Sequence, residues 1–107
     1  MRVLFDRGTP APLIRFLPGH DVTKAKDRGW YQLINGELLT VAEASDFDVF
    51  ITTDKNIRYQ QNLEARWIAL VVPSTPQWPV VRLHVERIAA AVNGATPGSY
   101  IEVGLQD

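Results

Sequence analysis

The chain contains no cysteine and a single methionine, which excludes disulfides, thiolate metal sites and cysteine nucleophiles. It has no excess of either charge: 11 Lys and Arg stand against 12 Asp and Glu, for a net charge of −1. Any attraction to a polyanion must therefore come from a local patch and not from the protein as a whole. Long apolar runs are also missing. The longest strongly apolar stretch, Trp67 to Val72, is far below the length of a membrane span. Val3-Leu4-Phe5 is too short for the apolar core of a signal peptide, so the expectation is a cytoplasmic protein with no membrane partner. The seven glycines form no phosphate-cradling loop, and Ser74 and Ser99 lack the context of a nucleophile elbow. Neither His20 nor His84 has a second ligand or nucleophile at a suggestive spacing, so both read as structural.

With 46% hydrophobic and 21% charged residues over 107 positions, the composition is that of one globular domain, residues 1–107, with a single core. Arg2 to Phe5 predicts a first strand, and Thr9-Pro10 reads as an N-cap and first helical position for a helix running to Leu17. Pro18-Gly19 ends it. His20 to Thr23 predicts a second strand, followed by the polar stretch Lys24 to Gly29. Asn35 reads as the cap of a helix with Leu38, Leu39, Val41 and Ala42 at helical spacing. Asp48 to Thr53 and Trp67 to Val72 predict two further strands, the latter apolar on both faces as buried parallel strands are. A short helix or turn around Ile57 to Leu63 separates them. Pro79 to Asn93 predicts a helix, because Val81, Val85, Ile88 and Val92 share one stripe. Tyr100 to Val103 predicts an edge strand. Strands alternating with helices argue for an α/β three-layer sandwich around a mostly parallel sheet, in the order 2-1-3-4 with the last strand added at the edge.

In that order the first and third strands are neighbours, and each runs into an acid: Asp6 after Val3-Leu4-Phe5 and Asp54 after Asp48 to Thr53. Open α/β sheets bind ligands at this carboxyl edge, where the strand order reverses. Two carboxylates about 4 Å apart repel by about 4 kcal/mol at an effective dielectric near 20, so a divalent cation is their natural counterion. Glu37, in the first turn of the helix capped by Asn35, is the candidate third oxygen ligand. Oxygen-only ligation by few groups suits Mg²⁺ or Mn²⁺. The competing structural roles are an Asx-turn or helix cap for Asp54, a turn into Thr9-Pro10 for Asp6, and helix-dipole complementation for Glu37. Arg7, Lys24, Lys26, Arg28, Lys55 and Arg58 all follow strands at the same edge, a positive rim suited to a polyanion backbone. Trp30, Tyr31 and Tyr59 lie in the same loops, placed to stack on unpaired bases or to seal the core beneath a loop.

The segments Val3-Leu4-Phe5-Asp6, Asn35-Gly36-Glu37-Leu38 and Ile51-Thr52-Thr53-Asp54-Lys55-Asn56 together resemble the PIN-like nuclease superfamily, in particular a short branch of small bacterial proteins. The resemblance covers roughly residues 1–73 and implies a PIN-like fold in which Asp6, Glu37 and Asp54 bind Mg²⁺ or Mn²⁺. It assigns Thr52 to the hydroxyl position of the motif. It further implies a hydrolase acting on RNA, a possible place in a toxin–antitoxin pair with an antitoxin-like protein, and homodimers. Two positions depart from the pattern: Asn56 stands where many members carry a further acid, and Arg7 follows the first acid where a polar or acidic residue is common.

The leading expectation is therefore metal-dependent phosphodiester hydrolysis of single-stranded RNA, with Arg7, Lys55 and Arg58 orienting the backbone and Trp30 and Tyr31 contacting bases. A receiver-like signalling domain is the alternative from another class, with Asp54 as phosphoacceptor and Ser74 as switch hydroxyl. Asp6 lacks the acidic neighbour and the last strand lacks the lysine that such a domain needs. The third reading is a catalytically inactive PIN-like module for protein interaction.

Overall fold

In a computed structural model, which describes residues 1–105, five strands form one sheet in the order β2-β1-β3-β4-β5, every neighbouring pair parallel. The strands are β1 (Arg2–Phe5), β2 (Asp21–Lys24), β3 (Val49–Ile51), β4 (Ala69–Pro73) and β5 (Tyr100–Val103). Four α-helices accompany them: α1 (Asn35–Ala44), α2 (Ile57–Gln60), α3 (Trp78–Val81) and α4 (Val85–Asn93). The sheet is parallel throughout, so the last strand joins in the same sense as the rest.

Side chains alternate across each strand, and this divides the core in two. Val3, Phe5, Val49, Ile51, Val71 and Val103 point to one face, where Leu13 and Leu17 after β1, Val81 of α3, and Ile88 and Val92 of α4 cover them. Leu4, Phe50 and Leu70 point to the other, beneath Leu38, Leu39 and Ala42 of α1 and Ile57 of α2. From Val3 onward in β1 and throughout β3 and β4 the central strands are apolar and buried, because both faces are covered.

The helical layers also determine the hand of the crossovers. The β1–β2 connection steps one way across the sheet under the Leu13 face, and the β4–β5 connection steps the other way under that same face. The last crossover is therefore of opposite hand to the first. The connections from β2 to β3 and from β3 to β4 step the second way under the opposite face, which gives them the hand of the first. The four crossovers therefore do not share one hand, as the general rule of right-handed connections would have them do.

Three local expectations are corrected. The segment after β1 is a 3-10 helix over Ala11–Phe16 and not an α-helix: Pro10 and Pro12 remove two amide donors, and Leu13 and Leu17 donate to the carbonyls three residues back, Pro10 and Ile14. The stripe from Pro79 to Asn93 is carried by two helices. Between α3 and α4 the Leu83 and His84 amides donate to Val80 and Val81, also three residues back, and Leu83 turns out to solvent at 57% exposure. The second strand begins at Asp21, since Gly19 at φ +83° and the His20 amide bonded to Leu17 make a turn of the preceding residues.

Candidate functional site

The ladder between β1 and β3 continues one residue past Phe5, where the Asp6 amide donates to the Ile51 carbonyl at 3.2 Å. From there the chain leaves β1 toward β2 and leaves β3 toward β4, and the two acids flank the gap that this divergence opens.

The acids are linked through Thr52, which is fully buried. Its hydroxyl donates to Asp6 Oδ2 at 2.5 Å and accepts the Asp54 amide at 3.1 Å, so one side chain fixes the carboxylate of one acid and the backbone of the other. Asp6 Oδ1 accepts the Gly8 amide at 3.1 Å and the Thr9 hydroxyl at 2.7 Å. That Thr9 hydroxyl is also 2.9 Å from the Ile51 carbonyl, and its single proton is shared between two acceptors. Asp54 Oδ1 accepts the Asn56 amide at 3.0 Å, closing an Asx-turn ahead of α2, and Asp54 Oδ2 accepts Asn35 Nδ2 at 2.7 Å. Each acid thus performs the turn role that competed with metal binding. The same bonds hold both carboxylates in single orientations.

The acids open onto a cleft of about 630 Å³ whose walls include Arg7, Trp30, Tyr31, Asn35 and Gln61. A second cavity of about 300 Å³ adjoins it across Asp6, Arg7 and Gly8, and is lined by Lys24 and Lys26. Tyr31 stands half exposed at the rim. Trp30 is more constrained: the Arg28 guanidinium lies 4.6 Å over its ring and Phe47 meets it edge-on at 6.2 Å.

Other expected participants lie elsewhere. Glu37 is exposed on α1 and does not line the cleft; among the described residues no group of three or more Asp, Glu, His or Cys is gathered to hold a metal. Asn35 occupies the place beside Asp54 that Glu37 was expected to fill. Lys55 and Asn56 are exposed and outside the cleft lining, Asn56 contributing its amide alone. Arg58 turns toward β5, 3.2 Å from Glu102 and 4.7 Å over the Tyr59 ring. The Tyr59 hydroxyl and then Glu102 raise its pKa further above the ordinary value. Ser74, the expected switch hydroxyl of a receiver, is taken up by the backbone of Leu105, whose amide donates to it at 2.9 Å.

Asn35 and Thr9 are site residues that local reasoning assigned to capping. Both helices start without a side-chain cap, at Ile34 and Pro10, because the two side chains reach the acids instead. The signal for Thr9 was legible in its spacing, three residues after Asp6 with Gly8 between. Asn35 reaches Asp54 across 19 residues, which no local pattern encodes. A scan against family models, a search of curated proteins and a search of solved structures each return no match, so the functional reading rests on this geometry.

The donor set bears on the choice of cofactor. Asp6 Oδ1 has two partners, but Asp6 Oδ2 and both Asp54 oxygens have one each, which leaves each of those three a lone-pair direction. The Asn35 carbonyl oxygen is unspent among the described residues. Two carboxylates and a carboxamide oxygen, with water completing the shell, fit a hard cation such as Mg²⁺ or Mn²⁺.

Proposed function

We propose that the protein hydrolyses phosphodiester bonds in single-stranded RNA, with Asp6 and Asp54 holding Mg²⁺ or Mn²⁺ and Asn35 as an auxiliary oxygen ligand. The observation that carries this is the pair of acids joined through the buried Thr52 hydroxyl at the strand-order reversal, facing an open cleft with Arg7 on its wall. When bound, the cation supplies a water of lowered pKa and stabilises charge developing on phosphorus. Thr52 and Thr9 hold the Asp6 carboxylate, and Asn35 and the Asn56 amide hold that of Asp54, so little reorganisation is required on binding. Arg7 receives a phosphate oxygen, and Tyr31 stacks on an unpaired base. The sequence resemblance carried by Asp6, Thr52 and Asp54 extends the proposal to a PIN-like assignment, and with it an antitoxin-like partner and a homodimer.

Thermal melting in Mn²⁺ tests the reading. At about 100 times the dissociation constant the cation adds about 2.7 kcal/mol of stability, and Asp54→Asn abolishes this gain together with cleavage of an RNA pool. Glu37→Gln retains both. Absence of a metal-dependent shift and of cleavage in the parent protein overturns the proposal. One observation favours a second reading, an inactive interaction module: the Gly8 and Asn56 amides already engage both acids. That reading gains if a purified partner binds equally well to the parent protein and to the Asp6→Ala, Asp54→Ala double variant without metal.

A further inference from the structure

One side chain of the cleft wall has its hydrogen-bonding capacity unspent and packs closely against a glycine. Gln61 follows α2 directly, its amide donating to the Ile57 carbonyl at 3.0 Å, and its half-buried side chain crosses to the first turn of α1 as part of the cleft wall. It packs against Gly36 with its Oε1 end nearest. A β-carbon at position 36 would come 2.8 Å from Gln61 Oε1 and 3.4 Å from both Cδ and Nε2. The Gly36 φ is not in the left-handed region, so the turn itself does not require glycine there; the packing of the carboxamide does. Among the described residues the Gln61 carboxamide has no hydrogen-bond partner. It offers two donors and an acceptor to whatever enters the cleft whose wall it shares with Tyr31.

We propose that Gln61 is the base-reading residue of the cleft and that it selects an unpaired adenine, an assignment that rests on the single-stranded RNA reading above. A carboxamide pairs in bidentate fashion with the adenine N6 amino group and N7, accepting from one and donating to the other. Stacking on Tyr31 is indifferent to base identity, so discrimination falls to Gln61. Gly36 is the positioning residue, since only a residue without a β-carbon leaves room for the carboxamide to lie within the wall.

The experiment is fluorescence anisotropy in EDTA, where no cleavage occurs, with labelled oligoadenylate, oligouridylate, oligocytidylate and an oligomer of 7-deazaadenosine, which lacks the N7 acceptor. The parent protein binds oligoadenylate on the order of tenfold more tightly than the pyrimidine oligomers, and the 7-deaza oligomer loses that margin. Gln61→Ala and Gly36→Ala each reduce the margin to near unity. Gly36→Ala does so without lowering the melting temperature, because alanine is favoured over glycine inside a helix and the displaced group is a flexible side-chain end. Equal binding of all four oligomers overturns the inference, as does a margin that survives Gln61→Ala or no binding of any oligomer. Adenine preference without metal-dependent cleavage leaves it standing and removes the hydrolytic reading alone.

Discussion

Thr52 is the residue on which the site's geometry most directly depends, and its replacement separates geometry from packing. Valine has nearly the same shape, so Thr52→Val leaves the buried volume filled while withdrawing one partner each from Asp6 Oδ2 and the Asp54 amide. Leaving such groups unpaired costs roughly 1–3 kcal/mol; urea unfolding is expected to show a loss of about 2 kcal/mol with an unchanged m-value. A loss below about 0.5 kcal/mol would mean that water takes over both bonds. Tyr100 presents the reverse case. Its hydroxyl is buried with no hydrogen-bond partner among the described residues, and burial first, then Glu102, raises its pKa above the ordinary 10.0. From about pH 10.0 upward the unfolded chain loses this proton before the folded one does, so stability falls as pH rises through the raised value. Tyr100→Phe is expected to remove that alkaline limb and at neutral pH to leave stability unchanged or slightly improved, since no hydrogen bond is lost. Denaturant melts at pH 7 and above pH 10 check both parts. At this scale Asp6, Thr52 and Asp54 were legible in the sequence, because strand ends announce themselves by the switch from apolar to polar. Asn35, Gln61 and the outward course of Arg58 were not, since each depends on which distant side chain lies opposite.

Among the elements, α1 is anchored from outside the sheet by a part-buried ion pair. Glu43 Oε1 lies 3.0 Å from Arg66 Nη1, with side-chain exposures of 15% and 19%, and Glu43 Oε2 accepts the Trp67 and Ile68 amides at 2.8 and 3.2 Å. Arg66 also donates to the Gly36 carbonyl at 3.2 Å, so the link reaches the helical turn that carries Asn35 into the site. Glu43→Ala strands the Arg66 charge and two amides at once. The expected cost is about 3 kcal/mol in equilibrium denaturation; a cost below about 1 kcal/mol would show that solvent replaces the carboxylate. The strands β1, β3 and β4 were readable because burial on both faces demands an unbroken apolar run, which few other elements tolerate. The helices were readable as stripes and less so as hydrogen-bond ladders. Val81, Ile88 and Val92 are buried as the spacing requires, yet the same spacing is met by two helices joined through a tightened turn, because periodicity reports which side faces the core and not which carbonyl each amide chooses. The two prolines that make Ala11–Phe16 a 3-10 helix were visible as residues. Their consequence depended on Thr9 being drawn to Asp6 and not left to cap.

For the molecule as a whole, strand order followed from the alternation of elements, but the reversed hand of the last crossover did not, since the sequence does not record which face of the sheet α3 and α4 choose. Of the four α-helices only α1 and α2 border the cleft, together with the loops that carry Arg7 and Trp30 to Ile34, and the second cavity with its lysines adjoins it. Because the net charge is −1, attraction to RNA must be local, and its salt dependence counts the cations in play. Arg7, Lys24 and Lys26 line the smaller cavity. The Lys24–Asp27 pair, at 3.8 Å with Asp27 exposed to solvent, is too weak to withhold Lys24. Three cations, each releasing about 0.7 counterion from a single strand, give a slope of log binding constant against log salt on the order of −2. Lys26→Gln is expected to flatten that slope by about 0.7 and to weaken binding to every oligomer equally, unlike Gln61→Ala, which acts on adenine alone. Titration of a labelled oligomer between about 50 and 200 mM salt measures both slopes. A parent slope near zero, or one that Lys26→Gln leaves unchanged, would remove the smaller cavity from the RNA path and with it the electrostatic part of the proposed binding.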